Sequence, residues 1–312
     1  MRLDFRCVGD IQILSLRSAA EIGRDISNVR GEIFGEGAMH KFFIAAGVSA
    51  ALALSGTQTR GNNLAVESFN YPTGTLQGDN GGVGFSGPWV PGGFNASNST
   101  NYQVAAGSLP FGTLPTSGNH VTTQSLAAIG GLTRGLSTPL GTPGTTVYLS
   151  IEFRPEGVLN AGQFNGFFGL YLNGSTGTDL FAGKPGGGAF NDYALEDRGG
   201  SNQHSTGVMP IIGATDWLVV RADFTAGNDK FTLYVDPTPG GSEPLTGTVK
   251  QDSDVGTVPA ITLYSTGAFS ADEIRIGATY ADVTSTPEPA SVAFMGIGGL
   301  LACGRWAGRR AR

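Results

Sequence analysis

Every second residue is apolar in several runs of this chain, and that feature limits its folding more than any other. In the run TTVYLSIEF, Val147, Leu149, Ile151 and Phe153 share one side while Tyr148, Ser150 and Glu152 share the other. A period of two is the pattern of a half-buried strand. WLVVRADF repeats it, with Leu218, Val220, Ala222 and Phe224 opposite Val219, Arg221 and Asp223, and KFTLYVD places Phe231, Leu233 and Val235 together. The polar turn at 226–229 joins those two runs as a tight hairpin. Further strands are expected at residues 120–126, 164–172, 260–264 and 273–280, separated by Gly, Asn and Pro clusters. Strands with one apolar face must bury it on a second sheet, so the expected fold is all-β, an antiparallel two-sheet sandwich or jelly roll.

Composition narrows the function classes. Glycine occurs 50 times without a Gly-X-Y period, and 40% of residues are apolar, which excludes collagen and favours a loop-rich β domain over disorder. From 66 to 286 there are 8 Lys and Arg against 18 Asp and Glu, a net of −10. Such a domain repels polyanions, so nucleic acid is not an expected partner. Cys7 and Cys303 both lie outside the strand-bearing region, which leaves it no disulfide, thiolate nucleophile or thiolate metal site.

Both ends read as addresses. His40 and Lys41 precede an apolar run from Phe42 to Leu54 and then small residues, the three-part pattern of a signal peptide. Cleavage is expected near Ala53 or Ser55, with a later site near Ala65 as the alternative. Residues 1–38 read as a leader or a misassigned start, 39–65 as a signal helix, 66–283 as the sandwich and 284–312 as a C-terminal tail. In that tail Pro287-Glu288-Pro289 precedes an apolar, Gly-rich run from Ala290 to Cys303 and a basic end with Arg305, Arg309, Arg310 and Arg312. This order resembles the PEP-CTERM sorting signal. The resemblance implies a membrane-sorting helix, processing by an exosortase-type membrane enzyme after signal peptidase, and an association with extracellular polysaccharide or biofilm. Independently, a basic C-terminal end prefers the cytoplasm, which places the preceding domain outside.

The strand ending in Asp223-Phe224, its turn and KFTLYVDP resemble the laminin-G or concanavalin-like sandwich family. The closing DEIRIGATYADV, from Asp272 to Val283, resembles the last strand of tailed sandwiches, and ESFNYPTG at Glu67 resembles their opening strand.

Candidate chemistry is sparse. Gly82-Val83-Gly84-Phe85-Ser86-Gly87 satisfies a dinucleotide-loop spacing but lacks the strand-turn-helix context, and reads as a loop leading to Trp89. His120 and His204 have no cysteine or serine elbow to serve, so no catalytic residue is assigned. Among acids, Glu152 and Asp223 lie on strands, and Glu196 and Asp197 are expected in a loop, without the paired arrangement glycoside hydrolysis requires. Asn191, Asp192, Glu196 and Asp197 offer hard oxygen ligands for a calcium ion. Tyr71, Trp89, Tyr102 and Tyr193 are candidates for stacking on sugar rings. The leading expectation is a non-enzymatic adhesion or structural module of the cell surface; the alternative is a lectin or glycan-active enzyme on the same scaffold.

Overall fold

The computed structural model describes residues 2–8, 11–17, 63–93, 96–123, 130–157, 166–186 and 191–285. The chain separates into two units, residues 1–57 with 289–312, and residues 58–288. In the first, β1 (Arg2–Val8) and β2 (Ile11–Arg17) form an antiparallel hairpin, an element the reading of residues 1–38 did not contain. The signal run from Met39 and the sorting motif at Pro287, Glu288, Pro289, Arg309, Arg310 and Arg312 lie outside the described residues. Among the described residues no helix is long and apolar enough to cross a membrane.

The second unit is the sandwich. In chain order its strands are β3 (Asn63–Glu67), β4 (Gly74–Thr75), β5 (Val90–Pro91), β6 (Tyr102–Ala105), β7 (His120–Thr123), β8 (Gly130–Leu140), β9 (Thr146–Pro155), β10 (Phe168–Asn173), β11 (Leu180–Lys184) and β12 (Ala194–Asp197). They continue with β13 (Ser201–Ser205), β14 (Asp216–Asp223), β15 (Asp229–Val235), β16 (Thr248–Ser253), β17 (Val258–Ser265) and β18 (Phe269–Gly277), followed by a short helix, α1 (Tyr280–Thr284). One sheet has the order β13-β12-β11-β10-β17-β8-β5; the other runs β16-β15-β14-β9-β18-β7-β6-β4, with β3 also paired to β18. Every pairing is antiparallel.

The alternation seen in the sequence decides which face meets the other sheet. Val147, Leu149, Ile151 and Phe153 from β9 join Leu218, Val220 and Ala222 from β14, and they meet Phe168, Leu170, Leu172, Ile261 and Leu263 of the opposing sheet in one core. Phe153 and Phe168 touch across it with ring centroids 5.4 Å apart. The other face of β9 and β14 is buried too, in a second cluster of Tyr148, Trp217, Val219 and Tyr234 with Leu114, Tyr280 and Val283.

Three boundaries depart from the sequence expectation. The first strand starts at Asn63 rather than at 66, with Ala65 buried and paired to Ile276. The last strand stops at Gly277, because Thr279 and Asp282 form a reciprocal capping box that starts α1. The stretch 194–197 is a strand, not a loop, so Glu196 and Asp197 point to opposite faces.

An ion pair ties the two sheets together. Arg134 of β8 bonds Glu67 of β3, both side chains buried. Tyr71 donates its hydroxyl to the same carboxylate at 2.6 Å, Phe69 N–H reaches its other oxygen at 2.8 Å, and the guanidinium lies 4.4 Å above the Phe85 ring. The glycines of 82–87 make this closure possible. A Cβ on Gly84 would sit 2.0 Å from the Leu64 carbonyl, and Gly84 has φ +82°. The motif is thus a close-packed crossing against β3, with Val83 bridged to Val66 and Phe85 to Leu136.

Candidate functional site

The four calcium candidates do not converge. Asp192 is used by Ser205 and by Gly207 N–H at 2.8 Å. Glu196 is bonded by Gln203 at 2.6 Å, and Asp197 by Ser253 and, at 3.1 Å, by the Lys250 ammonium. An ammonium at Asp197 already supplies the positive charge a cation would bring. Asn191 precedes Asp192 at the start of this turn. Among the described residues no group of three or more His, Cys, Asp and Glu side chains is arranged to hold a metal.

The aromatic candidates are buried as well. Trp89, Tyr102 and Tyr193 are sealed, Tyr71 nearly so, and each hydroxyl or indole N–H serves the interior. Tyr102 bonds the Gly130 carbonyl at 2.8 Å, and Tyr193 bonds Asp216 at 2.7 Å. Of the histidines, His120 on β7 contacts the Gly107 carbonyl and His204 on β13 contacts Asp252. Glu152 of β9 and Asp223 of β14 lie far apart along the ladder those strands share, since Glu152 is opposite Trp217 and Asp223 is opposite Thr146.

Rings do gather on the outer face of the seven-stranded sheet, where the sequence had not placed them. Register sets Glu196, Phe181, Tyr171, Thr262 and Thr133 in one row across β12, β11, β10, β17 and β8. Phe167 and Tyr264 complete a cluster with Tyr171 and Phe181. Burial raises the Glu196 carboxyl to about 7, the Asp197 charge adding to the shift and the Gln203 hydrogen bond opposing it. All four rings are 5% exposed or less, so this face is packed rather than open.

An open groove lies on the other sheet. The groove, of about 500 Å³, is lined by Thr146 and Tyr148 of β9, Arg221 of β14, Gly241, Ser242 and Glu243 from the segment after β15, and residues 278–281 at the start of α1. Glu243 is its centre. Its carboxylate accepts from Tyr148 Oη at 2.8 Å, Tyr234 Oη at 2.7 Å and Arg221 Nη1 at 3.1 Å. Burial alone would raise its pKa, but these three donors pull it below the ordinary carboxylate value. Arg221 is held from its other side by Asp223 at 3.0 Å and lies 5.9 Å from the Tyr148 ring centroid. Burial and the neighbouring carboxylate push both Tyr148 and Tyr280 up to about 12. The groove therefore presents fixed, charged hydrogen-bonding groups and hydroxyls that do not titrate near neutrality. Strand alternation had already put Tyr148 and Arg221 on the non-core face, but Glu243 sits in an irregular segment with no periodic signal.

No family model matches this sequence, and no curated protein matches it. Solved structures similar to it include an endo-1,3-β-glucanase from Streptomyces sioyaensis, at 8% identity over 70% of this chain and 97% of that one, with a TM-score of 0.44. The endo-β-1,4-glucuronan lyase of Trichoderma reesei aligns at 9% identity over 55% of this chain and 86% of its own, TM-score 0.37. A carbohydrate-binding module from Bacillus subtilis aligns at 10% over 57% and 95%, TM-score 0.33. Likeness at this distance carries no activity to this chain.

Proposed function

We propose that the chain is an exported surface sandwich that binds neutral glycans without turning them over, in the groove of Arg221 and Glu243. The observation that supports this most directly is the state of Glu243. A carboxylate held ionised by three donors has no proton to give a leaving group, and the lone pairs and N–H groups that Glu243 and Arg221 do not use on each other are left for sugar hydroxyls. Fixed partners reduce the ordering cost of binding. The groove's volume falls within the range of small-ligand sites, about 300–1,000 Å³. With Arg221 already neutralised by two carboxylates, an anionic sugar gains little, which favours neutral ones. The order of the C-terminal segments supports export and retention through a processed membrane tail, and extracellular polysaccharide is the natural ligand source.

Calorimetry with neutral oligosaccharides tests the groove. Binding should be calcium-independent and should weaken roughly tenfold or more on Glu243→Ala, the loss of about one charged hydrogen-bond network. No binding to any neutral oligosaccharide, or binding untouched by that change, overturns the proposal. Deleting residues 287–312 should shift the protein from the envelope fraction into the medium; retention of the truncated protein overturns the tail reading.

A further inference from the structure

Register places Trp217, Glu152 and Asp272 side by side across β14, β9 and β18. Glu152 is 1% exposed, and neither of its carboxyl oxygens has a hydrogen-bond partner. Buried polar groups are almost always satisfied, so a carboxyl left bare is a feature to be accounted for.

The segment 106–118 crosses this row. Phe111 packs on Trp217 with ring centroids 5.8 Å apart, and Leu109 N–H donates to Asp272 Oδ2 at 2.9 Å. The segment thus touches both cross-strand neighbours of Glu152 and lies over it. Beyond them, Ser117 N–H donates to Glu273 at 2.7 Å and Arg275 reaches the Pro115 carbonyl. Polar contacts of the segment with the sheet are concentrated on this acid group.

Charge around Glu152 is unbalanced. β18 brings Asp272 and Glu273 with one cation, Arg275, which is 3.1 Å from Glu273. β14 brings Trp217, the segment 106–118 contains no charged residue, and on β9 Arg154 is paired with Glu156. Asp282 of α1 is engaged by Thr279 N–H. Burial first, and then the charges of Asp272 and Glu273, raise Glu152 to about 9 despite Arg275. Burial also raises Asp272 to about 8, against the pull of the N–H groups of Leu109 and Glu273.

We propose that Glu152 is a proton-dependent latch that holds the segment 106–118 down on the nine-stranded sheet and releases it in alkaline solution. A protonated Glu152 can stay dry. Once ionised it has no donor within the fold, and water reaches it only if the covering segment lifts, taking Phe111 off Trp217. Leu114 and Phe111 belong to the same apolar cluster as Tyr148 and Tyr280, which line the groove. Opening should therefore weaken glycan binding, a consequence that rests on the groove reading, whereas the latch does not.

Hydrogen exchange of the full chain, read by mass spectrometry between about pH 6 and 9.5 and corrected for intrinsic exchange, tests it. Peptides covering 106–118 should lose protection by up to roughly tenfold per pH unit as Glu152 ionises, while β14 and β15 keep theirs. In Glu152→Gln the segment should stay protected throughout; Glu152→Met serves if the glutamine variant does not fold. A flat profile in the wild type, or the same profile in wild type and variant, overturns the latch. If the segment opens and glycan affinity at pH 9 equals that at pH 6, only the coupling to the groove fails. Absence of glycan binding at every pH counts against the groove alone.

Discussion

Arg134 and Glu67 show how a single pair can hold two sheets. Neither side chain reaches water, and Arg134 spreads its donors over Glu67, Gly81 and Gly87. Breaking such a pair leaves an uncompensated buried charge, so Glu67→Gln should cost about 3–5 kcal/mol in urea unfolding, while Glu67→Met with Arg134→Met should recover most of that. A single variant as stable as wild type would show that water reaches the guanidinium. Glu152 makes the opposite kind of contribution. Its folded pKa, about 9, lies above the ordinary value of 4.5. The stability tied to its protonated form is then fully present below about pH 4.5 and is lost as pH rises toward about 9. The urea midpoint should fall over that window, and Glu152→Gln should flatten the fall. At this scale the sequence was least legible. Tyr71 and Trp89 read as surface aromatics because nothing local announces that Glu67 and Arg134, distant in sequence, will meet between them.

Among the elements, clean alternation made β9, β14 and β15 legible in the sequence, while glycine hid β8 and β11. β9, β14 and β15 carry large residues on their core faces and polar or aromatic ones outside, and each is found within a residue or two of its expected place. β8 and β11 escaped notice because Gly131, Gly135 and Gly183 stand where the outer-face residues of an alternating strand would be. Their absence of side chains has a packing cause. A Cβ on Gly131 would meet the Tyr264 ring at 2.8 Å, and one on Gly169 would meet the Phe181 ring at 2.3 Å. The glycines are seats for rings lying across the sheet. Gly169→Ala should therefore cost about 1–3 kcal/mol, the usual penalty of overpacking, with a loss of near-ultraviolet circular dichroism from the ring cluster. An unchanged spectrum and midpoint would mean that Phe181 swings aside freely. Thr279→Ala, by removing the capping side chain of α1, should cost about 1 kcal/mol.

Across the whole molecule, the sandwich begins earlier than alternation alone suggested, and the reason shows what holds the unit together. Residues 63–65 are too short and too polar at Asn63 to announce a strand, yet they lie along β18, which is itself paired to β9 and β7. Ala65 is buried in the main core, and the Gly84 crossing closes on the Leu64 carbonyl. A protein starting at 58 should fold alone and without any cysteine, since the main core draws on both sheets of unit 58–288 and Cys7 and Cys303 lie beyond it. One starting at 66 keeps Glu67 but loses the ladder bonds and apolar contact of 63–65. Those losses are worth about 2–4 kcal/mol, from two or three hydrogen bonds at about 1 kcal/mol each and a buried methyl at about 0.8. For a domain of this size that lowers the melting temperature by about 4–15 °C. Calorimetry on the two proteins, both ending at 288, decides the point. Equal melting temperatures would mean that β3 is an appendage and that a signal cut at Ala65 is harmless. The expected difference bears on the proposed signal as well: a cut near Ala53 or Ser55 keeps the whole of β3, and a cut at Ala65 does not.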